Sequence, residues 1–302
     1  MAFAIDDIKG TMPALITPYD ADGAVNVDMI RRLVTLHIEQ GCHGFFVCGS
    51  TGEGLFLTPE ERKLVARTAI ETVAGQVPVM VHVGAVSTNE SVLLAEDARK
   101  AGAAAVSSIP PIYYKVGLEG MLQHIRAIAQ AAALPTYYYH IPELTGVHLS
   151  AEQLVDAFTS VEGVAGMKYT HTDMFFLWSM LDSGKGRLRV FNGADQMLFH
   201  GLCTGACGGI GSTYNYQMRT IAKIYEAVQA GDLEQARTLQ WQANRVIKVL
   251  FQFGANLACE KAIMRLIGLD VGMPRSPMVA FPEERVDDLR RSLEAIGFFD
   301  AA

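Results

Sequence analysis

The chain has 302 residues, half of them hydrophobic, and a formal net charge of −7. That length can bury the core of two ordinary domains or of one large α/β barrel, and the acidic balance argues against broad nucleic-acid binding, which needs a basic stripe. Its apolar runs are broken by glycine, proline or charge well before the roughly 20 residues needed to span a bilayer, so no membrane is expected as a partner.

The opening MAFAIDDIKG carries acids and lacks both a basic start and a long apolar segment. It does not read as a secretory leader, and a cytoplasmic protein is expected. Short β-rich apolar runs then recur: MPALIT, GFFVCG, VPVMVHVG, AAAVSSIP, PTYYYHIP, VAGMKYT, RVFNGA and CGGIGST. Segments of helical periodicity separate them, among them NVDMIRRLVTLHIEQG and TPEERKLVARTAIETVAG. Thr58-Pro59-Glu60-Glu61 offers an N-cap, a proline at the first helical position and acids in the first turn; Thr88 to Ala101 repeats the pattern and ends at Gly102. Strands alternating with helices imply a parallel sheet, and eight such units predict a (β/α)8 TIM barrel. The alternative, an open doubly wound sheet, usually shows a glycine-rich turn after its first strand, and TPYDADG is not one. From about residue 215 the strand signal ends, and NYQMRTIAKIYEAVQAGD, EQARTLQWQANRVIKVLFQFG, ACEKAIMRLIGLD and FPEERVDDLRRSLEAIG read as helices. The expected organisation is residues 1–230 as the barrel and residues 231–302 as a C-terminal helical extension of the same domain.

Scattered groups point to no metal. Cys203 and Cys207 are four apart, but no second pair or nearby histidine completes a zinc site, and with Cys42, Cys48 and Cys259 they read as reduced, buried, small hydrophobes. His37, His43, His82, His124, His148, His171 and His200 show no ligand spacing, although His171 follows Thr170 close to the expected site. The acid pairs Asp6/Asp7, Glu60/Glu61 and Asp287/Asp288 read as solvated or facing helix dipoles.

In a barrel of this kind the active site forms at the C-terminal ends of the strands. Those ends carry Gly49-Ser50-Thr51-Gly52-Glu53, Pro110-Pro111-Ile112-Tyr113-Tyr114, Tyr139, Lys168, Asp195-Gln196 and Gly211-Ser212-Thr213. Lys168, inside GVAGMKYT, is the most informative, because an ordinary lysine is costly to bury in an apolar strand. It either snorkels from a strand end, pairs with a carboxylate, or acts as a Schiff-base nucleophile. At an ordinary pKa of about 10.4 only about one amine in ~2,500 is neutral at pH 7. A desolvation shift of ~3 units raises that fraction ~10³-fold at a cost of about 4 kcal/mol. The iminium then serves as an electron sink for making or breaking a carbon–carbon bond two atoms away. Gly49-Ser50-Thr51-Gly52 supplies hydroxyls and turn amides suited to a carboxylate, or is simply a structural turn; it lacks the GK[ST] ending of a nucleotide loop.

Taken together, GSTGEG, YYYHIPELTG, GMKYT, FNGAD and GGIGSTYNY resemble, in order and spacing, the pyruvate-dependent class I aldolases of the dihydrodipicolinate synthase and N-acetylneuraminate lyase superfamily. HVGAVSTNES, GSTYNY and EKAIM are most similar to the lyase branch. The resemblance implies a Schiff base on Lys168 with pyruvate or the 2-oxo group of a sugar acid, and so no separate cofactor and no metal. It implies that Ser50 and Thr51 hold the carboxylate, that Tyr139 relays the proton from the C4 hydroxyl, and that Tyr113, from a neighbouring strand end, assists. Gly193, Asp195, Gln196, Gly211 and Ser212 match segments that hold the polyhydroxyl tail, with Thr170 near C4. A homotetramer acting on a small-molecule substrate is implied as well.

Two departures bear on the substrate. Leu144 stands where the synthase branch carries an arginine two residues after the proline, which counts against dihydrodipicolinate synthase. Gln196 stands where the lyases usually carry a glutamate, keeping hydrogen-bonding capacity and losing a charge. The expected activity is reversible cleavage of N-acetylneuraminate to pyruvate and N-acetylmannosamine. The alternatives are an aldolase or hydro-lyase for another 2-oxo-3-deoxy sugar acid, and a catalytically silent binder on the same barrel. Strand alternation places Tyr137 and Tyr139 on one face and Tyr138 and His140 on the other, toward the helices.

Overall fold

The computed structural model describes residues 3–301. Met1, Ala2 and Ala302, which end the two expected spans and begin the MAFAIDDIKG stretch, lie outside the described residues. Strands and helices alternate as β1 (Gly10–Pro13), α1 (Val27–Glu39), β2 (Phe45–Val47), α2 (Pro59–Val73), β3 (Val79–His82), α3 (Thr88–Ala101), β4 (Ala105–Ser108), α4 (Gly117–Ala132), β5 (Thr136–His140), a short α5 (Pro142–Thr145), α6 (Ala151–Thr159), β6 (Val164–Tyr169), α7 (Met174–Gly184), β7 (Arg189–Asn192), α8 (Leu198–Thr204), β8 (Gly208–Gly211) and α9 (Tyr214–Gln229). Four helices follow: α10 (Leu233–Gln252), α11 (Leu257–Leu266), α12 (Val286–Glu294) and α13 (Phe298–Ala301).

All strand pairings are parallel, in the order β1-β8-β7-β6-β5-β4-β3-β2. A parallel bridge between Ala14 and Phe46 joins the two ends, where Leu15 N–H donates to the Phe46 carbonyl at 2.9 Å and His43 N–H to the Thr11 carbonyl at 2.8 Å. The sheet is therefore a (β/α)8 barrel and not an open doubly wound sheet. β1 begins two residues before the MPALIT run, and Leu15–Thr17 lie beyond its last residue.

Local chemistry sets the helix ends. Thr58 Oγ1 accepts the Glu61 N–H while the Glu61 carboxylate accepts the Thr58 N–H, a reciprocal cap with Pro59 inside it. α3 is capped by Ser87, one residue before the expected start, and stopped by Gly102 at φ +93°.

Two apolar layers result. Met12, Phe46, Met80, Tyr137, Tyr139, Phe191 and Ile210 fill the barrel, while the opposite strand faces pack against the helices. The YYYH run divides as alternation requires. Tyr137 and Tyr139 point inward; Tyr138 stacks on Phe158 with centroids 3.9 Å apart, and His140 stacks on Tyr169 and Phe176.

One expectation needs correction: Cys203 is exposed on α8, because the helix turns that position outward, and Cys207 is half-buried, whereas Cys42, Cys48 and Cys259 are buried. Glu61 faces the α2 dipole as expected, and besides capping that helix it takes both terminal nitrogens of Arg275, which lies between α11 and α12. Arg275 holds the Glu61 carboxyl down at about 2.

The C-terminal helices are fastened to the barrel by a buried ion pair. Lys261 Nζ on α11 lies 2.7 Å from Glu53 Oε1 in the β2–α2 loop, with both side chains almost fully out of solvent. Lys261 also donates to the carbonyls of Thr17 and Met273 at 3.2 Å and sits over the Tyr19 ring. The Arg275 N–H donates to Glu53 Oε2 at 2.7 Å. Removing one member of such a pair leaves an uncompensated buried charge, at a cost of about 3–5 kcal/mol. Lys261→Met is expected to lower unfolding stability in urea by that amount, and Glu53→Gln added to it to restore part of the loss. Single and double variants of equal stability would show that the pair is not coupled.

Candidate active site at the barrel mouth

Lys168 and Tyr139 occupy partnered positions on β6 and β5, and Lys168 is partnered in turn with Phe191 on β7. Register therefore turns all three side chains into the barrel. Lys168 is 5% exposed, and its Nζ lies 4.2 Å from the centroid of the Tyr139 ring and 4.6 Å from that of Phe46. Among the described residues it makes no ion pair; the carboxylate-pairing alternative is not what the fold provides. The aromatic faces take that place.

The Tyr139 ring meets Phe46 and His82 edge to face, at centroid distances of 6.0 and 6.1 Å. His82 Nε2 accepts the Ile109 N–H at 3.2 Å, which assigns the proton to Nδ1. Burial, with the Arg62 and Lys168 charges adding to it, holds the pKa of His82 well below its ordinary value, so the imidazole is neutral. Arg62 is itself tied to the carbonyls of His82 and Gly84 at 2.7 and 3.0 Å.

The loop after β2 is a compact turn. Glu53 N–H donates to the Ser50 carbonyl and Gly54 N–H to the Gly49 carbonyl, both at 3.0 Å, and Thr17 Oγ1 donates to the Gly52 carbonyl. Cys48 and Glu53 sit at φ +60° and +54°, a conformation that costs a non-glycine residue about 1–3 kcal/mol. Ser50 is exposed and Thr51 half-buried. Among the described residues neither their amides nor their hydroxyls donate a hydrogen bond, so the turn presents free donors to an anion.

On the opposite side of the mouth, two glycines allow close approach. A Cβ on Gly193 would lie 2.0 Å from Thr170 Oγ1, and one on Gly211 would lie 2.0 Å from Asp195 Oδ1. Thr170 Oγ1 is buried without a hydrogen-bond partner among the described residues. Asp195 Oδ2 accepts the Thr213 N–H at 2.8 Å and the Thr213 hydroxyl at 2.7 Å. Burial raises the Asp195 pKa, while the Thr213 donors and the Lys168 charge pull it back. Ser212 Oγ lies 2.9 Å from Glu260 Oε1 on α11. The Gln196 carbonyl accepts Asn244 Nδ2 at 3.2 Å, and Gln240 on α10 bridges the Asp195 carbonyl and the Phe199 N–H.

Lys168, Tyr139, Thr170, Gly193, Asp195, Gln196, Gly211 and Ser212 thus share one end of the barrel with the Ser50–Thr51 turn. Tyr113 does not join them in this chain. It is 90% exposed at φ +75°, with its ring packed edge-on against Tyr114 at 5.0 Å. His171 serves its own loop, its Nδ1 accepting the Asp173 N–H at 3.1 Å. Glu260, Gln240 and Asn244 were not singled out from the sequence. For Glu260 a signal existed: residues 258–264 of α11 are buried on every side, and an acid inside such a helix needs a partner. No helix is long and apolar enough to cross a membrane, and no cluster of three or more His, Cys, Asp or Glu suited to a metal occurs, among the described residues.

Known proteins share this sequence pattern and fold. Residues 7–296 match the Dihydrodipicolinate synthetase family. The chain is 36% identical to N-acetylneuraminate lyase of Citrobacter koseri over 285 residues, covering 94% of this chain and 95% of that protein. The solved sialic acid aldolase of Ruminococcus gnavus, a catalytic lysine mutant, superposes with a TM-score of 0.92 at 29% identity, covering 100% of this chain and 98% of that one. A prophage protein of the dihydrodipicolinic acid synthase family from Escherichia coli K12, solved with pyruvate, gives 0.91 at 27% identity, covering 96% and 99%. The chain belongs to the dihydrodipicolinate synthetase family, the class I aldolases that act as carbon–carbon lyases and include the N-acetylneuraminate lyases.

Proposed function

We propose that this chain cleaves N-acetylneuraminate reversibly to pyruvate and N-acetylmannosamine through a Schiff base on Lys168. The observation that carries this reading is the burial of the Lys168 amine, without a carboxylate partner among the described residues, against Tyr139 on the adjacent strand. In the cleavage direction the neutral amine adds to the C2 carbonyl of the open-chain acid, and water leaves to give an iminium. Tyr139 relays the C4 hydroxyl proton as the C3–C4 bond breaks and the bond's electrons pass to the iminium: its phenol oxygen accepts that proton and its own phenol proton goes to C3 of the enamine. The enamine left on Lys168 is protonated at C3 and hydrolysed to pyruvate. Ser50 and Thr51 hold the carboxylate through the free donors of their turn. Thr170, whose hydroxyl lacks a partner, faces the C4 region, and Gly193, Asp195, Gln196, Gly211 and Ser212 receive the tail. The assisting role expected of Tyr113 is not part of this scheme, because the residue lies outside the cluster in this chain.

No metal or organic cofactor enters this scheme, because the iminium is the electron sink. We further read residues 1–230 as the catalytic barrel and 231–302 as an extension of the same domain, in a cytoplasmic homotetramer. One observation favours a second reading, an aldolase or hydro-lyase for another 2-oxo-3-deoxy sugar acid. Gln196 offers an uncharged amide at the tail, where the lyases usually place a carboxylate.

Incubation with pyruvate and borohydride is expected to fix one pyruvate-derived adduct per chain by mass, absent from Lys168→Ala. An adduct that survives the substitution would sink the assignment of Lys168. Tyr139→Phe is expected to lower kcat about 10²–10⁴-fold while leaving adduct formation within about threefold, since general acid–base help is worth that much. Equal loss of both would make the phenol structural. Across a panel of 2-oxo-3-deoxy acids, N-acetylneuraminate is expected to give the highest kcat/KM; negligible turnover beside a well-used alternative would transfer the assignment to the second reading.

A further inference from the structure

Glu260 is a buried acid that the scheme above does not use. It is 7% exposed on α11, its Oε1 lies 2.9 Å from Ser212 Oγ, and its Oε2 is buried without a partner among the described residues. No cation pairs with it among the described residues. Its helix neighbour Lys261 is committed to Glu53, and Arg285, ahead of α12, acts on the adjacent Cys259. The titratable groups facing it are Asp195 after β7, Tyr216 on α9 and Cys259 on its own helix, none of which supplies positive charge.

A carboxyl in this position controls its neighbour. As the side chains stand, the Ser212 hydroxyl donates to Oε1; a neutral Glu260 can reverse that bond and donate its own proton to Ser212 Oγ, which leaves the Ser212 hydroxyl free to donate outward. When ionised it is acceptor-only, so Ser212 must donate to it and presents only lone pairs outward. A substrate hydroxyl beside Ser212 has one proton. Asp195 Oδ1, pressed against Gly211 next in the chain, is the nearby acceptor for it. A hydroxyl that has given its proton to Asp195 can only accept from Ser212.

We propose that Glu260 is a positioning residue for the distal end of the substrate: through its contact with Ser212 it makes that hydroxyl a donor toward the polyhydroxyl tail and so tunes selection of long-tailed sugar acids. The proposal rests on the sugar-acid reading given above. Burial pushes the Glu260 pKa up to about 8, with Asp195 adding to the rise and the Ser212 contact opposing it. The acid is therefore neutral at pH 7, and the donor arrangement is lost as pH rises through about 8.

The test compares wild type, Glu260→Gln and Glu260→Leu between pH 6 and pH 9. The substrates are the longest 2-oxo-3-deoxy acid that the protein turns over and a six-carbon one whose tail is too short to reach Ser212. For wild type, KM for the long substrate is expected to rise about fivefold across pH 8, the worth of one hydrogen bond, while KM for the short one moves in neither variant. Glu260→Gln, whose amide donates to Ser212 at every pH, keeps the low KM and loses the rise. Glu260→Leu has the raised KM throughout, with pyruvate adduct yield and kcat within about twofold of wild type. A wild-type KM ratio between long and short substrates that stays flat with pH, or a Glu260→Gln profile that follows wild type, overturns the proposal. Failure of wild type to form the borohydride-fixed pyruvate adduct sinks the aldolase reading beneath it, and is distinguished by that measurement.

Discussion

The buried pair between Glu53 and Lys261 is the constraint on which the arrangement of the mouth depends. Glu53 ends the GSTGE turn, and Lys261 belongs to a helix more than 200 residues later, so the pair converts a terminal appendage into a wall of the barrel. Its geometry is fully occupied: one carboxylate oxygen faces Lys261, the other accepts the Arg275 N–H, and Lys261 spends further donors on the carbonyls of Thr17 and Met273. An ion pair taken out of water is tolerated only when its remaining donors and acceptors are met in this way. Glu53 lies in the left-handed region, and Ser50 and Thr51 precede it by only two or three residues. The ends of the turn are thereby held, while its hydroxyls and amides stay unspent.

The same appendage reaches the far side of the mouth. Gln240 and Asn244 of α10 hold the backbone of residues 195–199, and Glu260, next to Lys261 on α11, touches Ser212. Consecutive residues of one helix thus contact the two loops assigned to opposite ends of the substrate. A shift of α11 would move both loops together, and the distance between them is set by the helix and not by the barrel alone. That gives the helices after β8 a physical reason to be fused to the barrel.

What could be read in the sequence followed from local rules. Alternation along YYYHIP places Tyr139 inward and His140 outward, because a strand surrounded by partners has no freedom to turn over. The cost of burying Lys168 was visible in its apolar surroundings. The capping residues of α2 and the glycine stop of α3 were legible for the same reason: each depends on neighbours within four positions. Lys261 and Arg275 were not, since their carboxylate partners Glu53 and Glu61 lie more than 200 residues away, and Glu260 showed only as an acid inside a mostly apolar helix. Glu61 shows the limit of the local reading. Its place in the capping box was evident, and its bond to Arg275 was not. Tyr113 stands in the expected sequence position but on an exposed, strained segment, which no rule of strand alternation addresses.

Burial also decides which charges the mouth can carry. His82 is held neutral, Asp195 is driven toward its neutral form, and Glu260 gives up its proton only near pH 8. An amine at Lys168 meets aromatic faces and, among the described residues, no carboxylate within ion-pairing distance. The ring faces of Tyr139 and Phe46 give a cation there some stabilisation but no full counter-charge. In the proposed reaction the missing counter-charge arrives with the substrate, whose carboxylate sits in the Ser50–Thr51 turn while its 2-oxo carbon becomes the iminium carbon. A ketone without that carboxylate would form the same bond and leave a positive charge with nothing to balance it in a medium where balance is worth several kcal/mol. In the proposed reaction, selection for 2-oxo acids follows as much from the absence of an acid beside Lys168 among the described residues as from the donors assigned to the carboxylate.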